Sequence, residues 1–138
     1  MNTKIISFAA LVIVVAVIVG FQQPSVNENT LIKKGMIKVT ILYPNAEGKK
    51  FDMDYYANKH MPLVASLLGD SLKLYGIDKG IGGRTPADPI PYAAIGYLYF
   101  DRLSAFQKSF GPHAEKIRND IPNYTDIQPV IQISEVLR

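Results

Sequence analysis

The stretch from Phe51 to Gly69 most constrains the fold, because it has the periodicity of an amphipathic helix and a proline in its middle. Asp52 can cap the start of this helix, since a carboxylate there accepts hydrogen bonds from the amides of the first turn. The largely apolar face repeats at spacings of three and four and consists of Met53, Tyr56, His60, Val64, Leu67 and Leu68. Pro62 cannot donate a helical hydrogen bond, so we expect either a kink near Met61 or a helix that restarts with Pro62 in its first turn.

His60 is the candidate functional residue of this helix, because it lies on the apolar face beside the predicted bend. There the imidazole can face a cavity between helix and sheet, and an unperturbed pKa of about 6.5 suits proton exchange near neutral pH. Tyr55 and Tyr56 lie one turn earlier, and two phenols near an imidazole can form a polar cluster inside an apolar pocket. The alternative is structural: His60 is a hydrogen-bonded core residue, and one of the tyrosines packs in the core.

The chain begins with a predicted targeting or anchoring segment, Met1 to Phe21. Lys4 precedes the almost wholly apolar run Ile5 to Phe21, which is at the lower limit for a bilayer span and slightly long for a cleavable signal core. We favour an uncleaved signal anchor, because a good small-residue cleavage site is missing, and a cleaved signal peptide stays the alternative. The positive flank predicts an exported domain, membrane-anchored or periplasmic. Residues 22–35 are polar and predict a flexible linker to a domain at 36–138.

Strand and helix patterns then follow in the order β-α-β-β-α-β. The predicted strands are Met36–Tyr43, Leu72–Ile81, Tyr92–Phe100 and Ile127–Leu137. This order is typical of the ferredoxin-like α+β fold, an antiparallel sheet with both helices on one face. The third strand is apolar on both faces, so we expect the outer face of the sheet to be covered by a second copy in a homodimer.

The second predicted helix precedes the last strand. Asp101 or Ser104 is its predicted cap. Gly111-Pro112 interrupts the helix, which then resumes as far as Asp120. Pro129 predicts that the last strand lies at an edge of the sheet or contains a bulge.

The composition excludes several kinds of site. The chain has no Cys, which excludes a disulfide scaffold and a thiol nucleophile. The formal charge is only +3 and no block of basic residues occurs, so we expect no nucleic-acid partner. The glycine-rich connection from Gly80 to Pro91 carries no phosphate-binding fingerprint, and no nicotinamide or flavin motif appears. Two histidines without an adjacent carboxylate pair do not form a zinc motif, so the sequence leaves any cofactor unknown.

Three blocks of the domain resemble the EthD-like family, which belongs to the dimeric α+β barrel superfamily. The matching residues are Phe51-Asp52, Tyr55-Tyr56 and His60-Met61-Pro62-Leu63 on the first helix, Pro91-Tyr92-Ala93-Ala94 at the third strand, and Asp120 to Asp126 before the last strand. The resemblance covers roughly residues 36–138. It implies a dimeric α+β barrel with a pocket between each sheet and its own helices.

The resemblance also implies a function. It indicates an enzyme of oxidoreductase type that acts on a small apolar organic molecule in a pocket lined by His60, Tyr55 and Tyr56. In this interpretation His60 is the general acid or base, and one tyrosine orients it or the substrate. His113, in the second helix, carries over only weakly. The alternatives are a non-catalytic protein that binds a hydrophobic ligand or supports a partner enzyme, and haem binding with His60 or His113 as axial ligand.

Overall fold

The sheet is antiparallel throughout, as the order of the sequence patterns predicts. A computed structural model describes residues 31–138, so the predicted segment Met1 to Phe21 and most of the linker lie outside the described residues. The strands are β1 (Ile37–Pro44), β2 (Leu74–Lys79), β3 (Tyr92–Phe100) and β4 (Val130–Glu135). They lie in the order β2-β3-β1-β4. The helices between them pack on one face, which confirms the ferredoxin-like α+β fold.

The first helical segment has three consecutive parts. They are α1 (Met53–Tyr55), a π-helical turn (Tyr56–His60) and α2 (Met61–Leu68). Asp52 caps the start as predicted, since its carboxylate accepts the backbone N–H of Tyr55 at 2.9 Å. Pro62 lies in the first turn of α2, and the helical backbone continues into α2 through the π-helical turn without a break. In the wide turn before it, the N–H of Met61 donates to the carbonyl of Tyr56.

The second helical segment is interrupted at the predicted place. Its parts are α3 (Leu103–Phe110), a 3₁₀ turn (Gly111–His113), α4 (Ala114–Asp120) and a second 3₁₀ turn (Ile121–Asn123). The predicted cap is wrong, because α3 begins after Arg102 and no side chain bonds to its first amides. The Asp101 carboxylate lies 3.5 Å from the Lys73 ammonium instead. Ser104 lies inside the first turn rather than before it.

The last strand is shorter than predicted, because Ile127 to Pro129 precede its hydrogen-bonded ladder. β4 pairs only with β1 and is an edge strand, as Pro129 predicted. β2, at the opposite edge, is also shorter than the predicted Leu72–Ile81.

The two faces of the sheet differ in what covers them. On the helix-facing side the two central strands contribute the buried core residues Val39, Tyr43, Ala94, Leu98 and Phe100. Ile131 and Ile133 of the edge strand β4 lie on the same side but stay about half exposed. On the outer face, Ile95, Tyr97 and Tyr99 of β3 are only half-buried, and Val130 of β4 is exposed. Lys38, Thr40 and Gln132 lie on the same face, so it is mixed in character, and a single chain leaves its apolar side chains without a cover. Within residues 31–138, no helix has the length and apolarity needed to cross a membrane.

Candidate functional site

His60 ends the π-helical turn and is buried, with only 4 % of its surface exposed. Its ring atom Nδ1 lies 2.8 Å from Oδ2 of Asp120, the last residue of α4. The other ring nitrogen, Nε2, makes no hydrogen bond to residues 31–138 and is not sealed inside the protein. The histidine therefore forms a dyad with a carboxylate and keeps one nitrogen available.

Three donors hold the Asp120 carboxylate. Besides His60, the hydroxyl of Tyr55 donates to Oδ1 at 3.0 Å, and the side-chain amide of Asn123 donates to the same oxygen at 2.9 Å. Burial works to raise the pKa of Asp120, but the hydrogen bonds from His60, Asn123 and Tyr55 outweigh it and hold this pKa below its usual value. Asp120 is therefore ionised at neutral pH.

Burial lowers the pKa of His60 below its ordinary value of 6.5, although the neighbouring Asp120 works in the opposite direction. The imidazole is accordingly neutral at pH 7. Because Asp120 is an ionised acceptor, the single ring proton belongs on Nδ1, and Nε2 carries the lone pair. This arrangement suits a general base.

Aromatic rings surround the imidazole. Tyr56 stacks on it with 5.7 Å between ring centroids and 18° between planes, and the ring of Tyr124 lies at 4.6 Å. The hydroxyl of Tyr124 is 2.7 Å from the hydroxyl of Tyr43 on β1. Burial raises the pKa of all three tyrosines well above the usual range, so their hydroxyls stay protonated. These contacts restrict the orientation of the His60 ring.

The Tyr56 hydroxyl is fully buried and is the sole sealed side-chain polar atom in the described part of the chain that lacks a hydrogen-bond partner. It points at Gly96 on β3, where a Cβ atom would overlap it. Gly96 thus leaves the room that the phenol needs beside His60. An unpaired buried hydroxyl costs about 1–3 kcal/mol.

A cavity of about 340 Å³ lies between the helices and the sheet. His60 and Tyr56 lie in its wall, and the remaining wall is mainly apolar, with side chains such as Val39, Ile41, Val64, Leu98, Phe106, Phe110 and Ile117. The volume is in the range of small-molecule sites, which start at about 300 Å³. Arg118 and Gln128 are the polar residues at its outer end.

The structure brings some of the predicted site residues into the cavity wall and leaves others outside it. Tyr56 and His60 share the cavity wall. Tyr55 does not line the cavity and contacts the site through Asp120 and by stacking on Tyr124. His113 is absent from the cavity wall. Asp120 was not predicted as a site residue, although it opens the third block of the family resemblance. Its predicted position before the last strand gave no sign that it would contact a helix 60 residues earlier in the sequence.

Other site residues also lay outside the prediction. Tyr43 was correctly predicted to lie on the first strand, and Asn123 and Tyr124 belong to the same block of the resemblance as Asp120. The sequence patterns assigned no functional role to any of the three. Within residues 31–138, no group of three or more His, Asp or Glu side chains is arranged to hold a metal ion.

Comparison with known proteins places the same region in a family. The model of the EthD domain matches residues 46–128. An EthD-like protein from Ralstonia eutropha JMP134 is 40 % identical, with a TM-score of 0.73 over 77 % of this chain and 96 % of its own. An EthD family protein from Bacillus halodurans C-125 is 19 % identical, with a TM-score of 0.54 over 74 % of this chain and 99 % of its own.

A more distant structure shares the fold alone. It is a dimeric protein of unknown function and ferredoxin-like fold from Bacteroides fragilis NCTC 9343, 10 % identical, with a TM-score of 0.51 over 76 % of this chain and 100 % of its own. No protein with a curated function matches the chain.

Proposed function

The chain belongs to the EthD family, and we propose that it is an enzyme that binds a small, mostly apolar organic molecule and removes a proton from it with His60. The observation that carries this proposal is the His60–Asp120 dyad at 2.8 Å in the wall of an apolar cavity. A fully satisfied core histidine has a partner for each ring nitrogen, whereas only Nδ1 of His60 has one among residues 31–138. A core histidine also does not need an ionised partner held by three donors.

The chemistry of the dyad supports a base. Nε2 of neutral His60 accepts the substrate proton, and the imidazolium that forms is stabilised by the Asp120 carboxylate at Nδ1. Because the cavity is apolar, the charge that develops there interacts strongly with the carboxylate. Tyr55 and Asn123 act as positioning residues, since they fix the carboxylate that fixes the ring.

An oxidation of the same molecule, as the resemblance implies, is compatible with this step. A substrate that has lost a proton to His60 is an electron-rich anion, but its oxidation would also need an electron acceptor, for which the sequence contains no nicotinamide or flavin motif. His60 would then serve proton removal, and the oxidoreductase type stays a prediction. The haem hypothesis is likewise untested.

The alternative function is ligand binding without chemistry, which the apolar cavity would serve equally well. The discriminating experiment begins with native mass spectrometry of the gently purified full-length protein to identify a co-purified molecule. That molecule is then incubated with the protein in D₂O. Conversion or deuterium incorporation by the wild type but not by His60→Gln supports the enzyme. Equal binding by both proteins with no change in the molecule would establish the binding protein instead.

We also propose a homodimer formed through the outer face of the sheet. Half-buried Ile95, Tyr97 and Tyr99 lie there beside exposed Val130, and a partner would cover these apolar side chains within an otherwise mixed surface. The distant Bacteroides fragilis structure of the same fold is described as dimeric. Native mass spectrometry of the full-length protein tests this, since a monomer at micromolar concentration would refute it.

For Met1 to Phe21, which the structure does not describe, the proposal remains a signal anchor with an exported domain. Its support is the sequence pattern of Lys4 followed by an apolar run. Membrane fractionation followed by carbonate extraction would separate an anchored chain from a cleaved, released one.

A further inference from the structure

A second concavity adjoins the cavity of His60. It is an open groove of about 870 Å³, bounded by Lys50 to Asp52, Arg118 and residues 121–126 together with Gln128. Arg118, Ile121 and Gln128 line both the groove and the cavity. The groove therefore adjoins the cavity, and Arg118 lies at the border between the two.

The charge at this junction is not neutralised by neighbouring side chains. The Arg118 guanidinium has neither an ion pair nor a hydrogen bond to any residue from 31 to 138. The acids of the groove already have donors: Asp126 accepts the backbone N–H of Lys50 and lies 3.9 Å from the Lys49 ammonium. Asp52 caps α1. Asp120 is held by its own three donors.

From this arrangement we infer that the ligand has an apolar body with an anionic group, such as a carboxylate or sulfonate, at one end, and that Arg118 binds that group. The apolar wall receives the body, and the guanidinium offers several N–H donors in a planar fork that matches an oxyanion. The inference rests on the proposed function, because it assigns the substrate class of the same cavity.

The two ends of the site then have separate tasks. The anionic group stays in the solvated groove, where its desolvation cost is small, and the apolar end is directed inward toward His60. Arg118 thus sets the direction in which the molecule enters and acts as a specificity-determining residue. A neutral molecule of the same shape would fill the cavity without this restraint.

A matched pair of fluorescent probes tests the inference on the full-length protein. 1-Anilinonaphthalene-8-sulfonate has an apolar body with a sulfonate, and N-phenyl-1-naphthylamine has the same body without it. Both are titrated at pH 8 against the wild type, Arg118→Gln and Arg118→Lys. Arg84→Gln is the control, since Arg84 is exposed on the loop from Gly80 to Pro91 and lines neither space. Ile131→Phe adds a larger side chain to the cavity wall. Because Ile131 is 52 % exposed, the larger side chain is not forced into the packed core.

We expect Arg118→Gln to weaken binding of the sulfonate probe about tenfold, as the loss of one charge-assisted hydrogen-bonding group does, with the neutral probe unchanged. Arg118→Lys should retain part of the affinity for the sulfonate probe, and Arg84→Gln should retain all of it. Ile131→Phe should weaken the binding of both probes. If the sulfonate probe binds Arg118→Gln as tightly as the wild type, or if Arg84→Gln weakens its binding as much as Arg118→Gln does, the inference is wrong but the cavity is not refuted. If neither probe binds the wild type, or Ile131→Phe affects neither, the proposed binding cavity itself is refuted.

Discussion

Gly96→Ala should destabilise the protein through a single steric contact, and adding Tyr56→Phe should reverse this destabilisation. A Cβ atom at Gly96 would overlap the Tyr56 hydroxyl, whereas the next atoms are at ordinary contact distance: Cζ of Tyr56 at 3.5 Å and Cδ1 of Ile41 at 3.6 Å. Tyr56 is 1 % exposed and packs on His60, so it cannot move aside without disturbing the site.

The expected size follows from this geometry. Adding a methyl group to a well-packed core typically costs about 1–3 kcal/mol, and the upper part of that range applies here, because the clash is with a ring fixed by its neighbours. Tyr56→Phe alone should be neutral or stabilising, since it deletes a buried hydroxyl that has no partner. In the double variant the methyl meets only carbon at contact distance, so a favourable coupling of about 1–3 kcal/mol is expected.

Urea unfolding of the four proteins, followed by circular dichroism at one fixed protein concentration, measures this coupling. Gly76→Ala on β2 is the matched control, because its Cβ would lie 3.6 Å from the Tyr97 ring, an ordinary contact. It should change the free energy of unfolding little. If the two substitutions Gly96→Ala and Tyr56→Phe are additive, or if Gly76→Ala costs as much as Gly96→Ala, the steric explanation is refuted.

Three further predictions concern the dyad and the outer face. Asp120→Asn should slow turnover of the co-purified molecule at least about tenfold and move the acidic limb of the pH–rate profile to lower pH, because the carboxylate is what favours protonated His60; an unmoved limb would contradict this. Since the folded-state pKa of His60 is lowered, the unfolded chain takes up a proton that the folded chain does not, so the free energy of unfolding should fall as pH drops below 6.5. His60→Gln should flatten this slope. Tyr97→Glu should yield a monomer in native mass spectrometry, because a carboxylate at the centre of the outer face would be buried against the second copy.

The fold and the site differ in how much the sequence could predict. Periodicity places Tyr56 and His60 on one face of a helix, and the order of the strands brings that face against the sheet; both are local patterns. The link between His60 and Asp120 joins two helices that are distant in the chain, and periodicity carries no information on such pairs. The wrong cap has the same origin, because Asp101 is close to Lys73 only once β2 lies beside β3.

Several locally unfavourable features meet at one place in the structure. A π-helical turn replaces a regular one before Pro62, the Tyr56 hydroxyl is buried without a partner, and His60 is held neutral beside an ionised carboxylate. Natural sequences tend to keep such conflicts where function requires them, and π-helical turns occur frequently at functional sites. A phenylalanine at position 56 and an apolar residue at position 60 would pack in the core without the free-energy cost of burying polar groups. The features that are unnecessary for folding are thus the ones that surround the base, which favours a chemical role for His60 over a purely structural one.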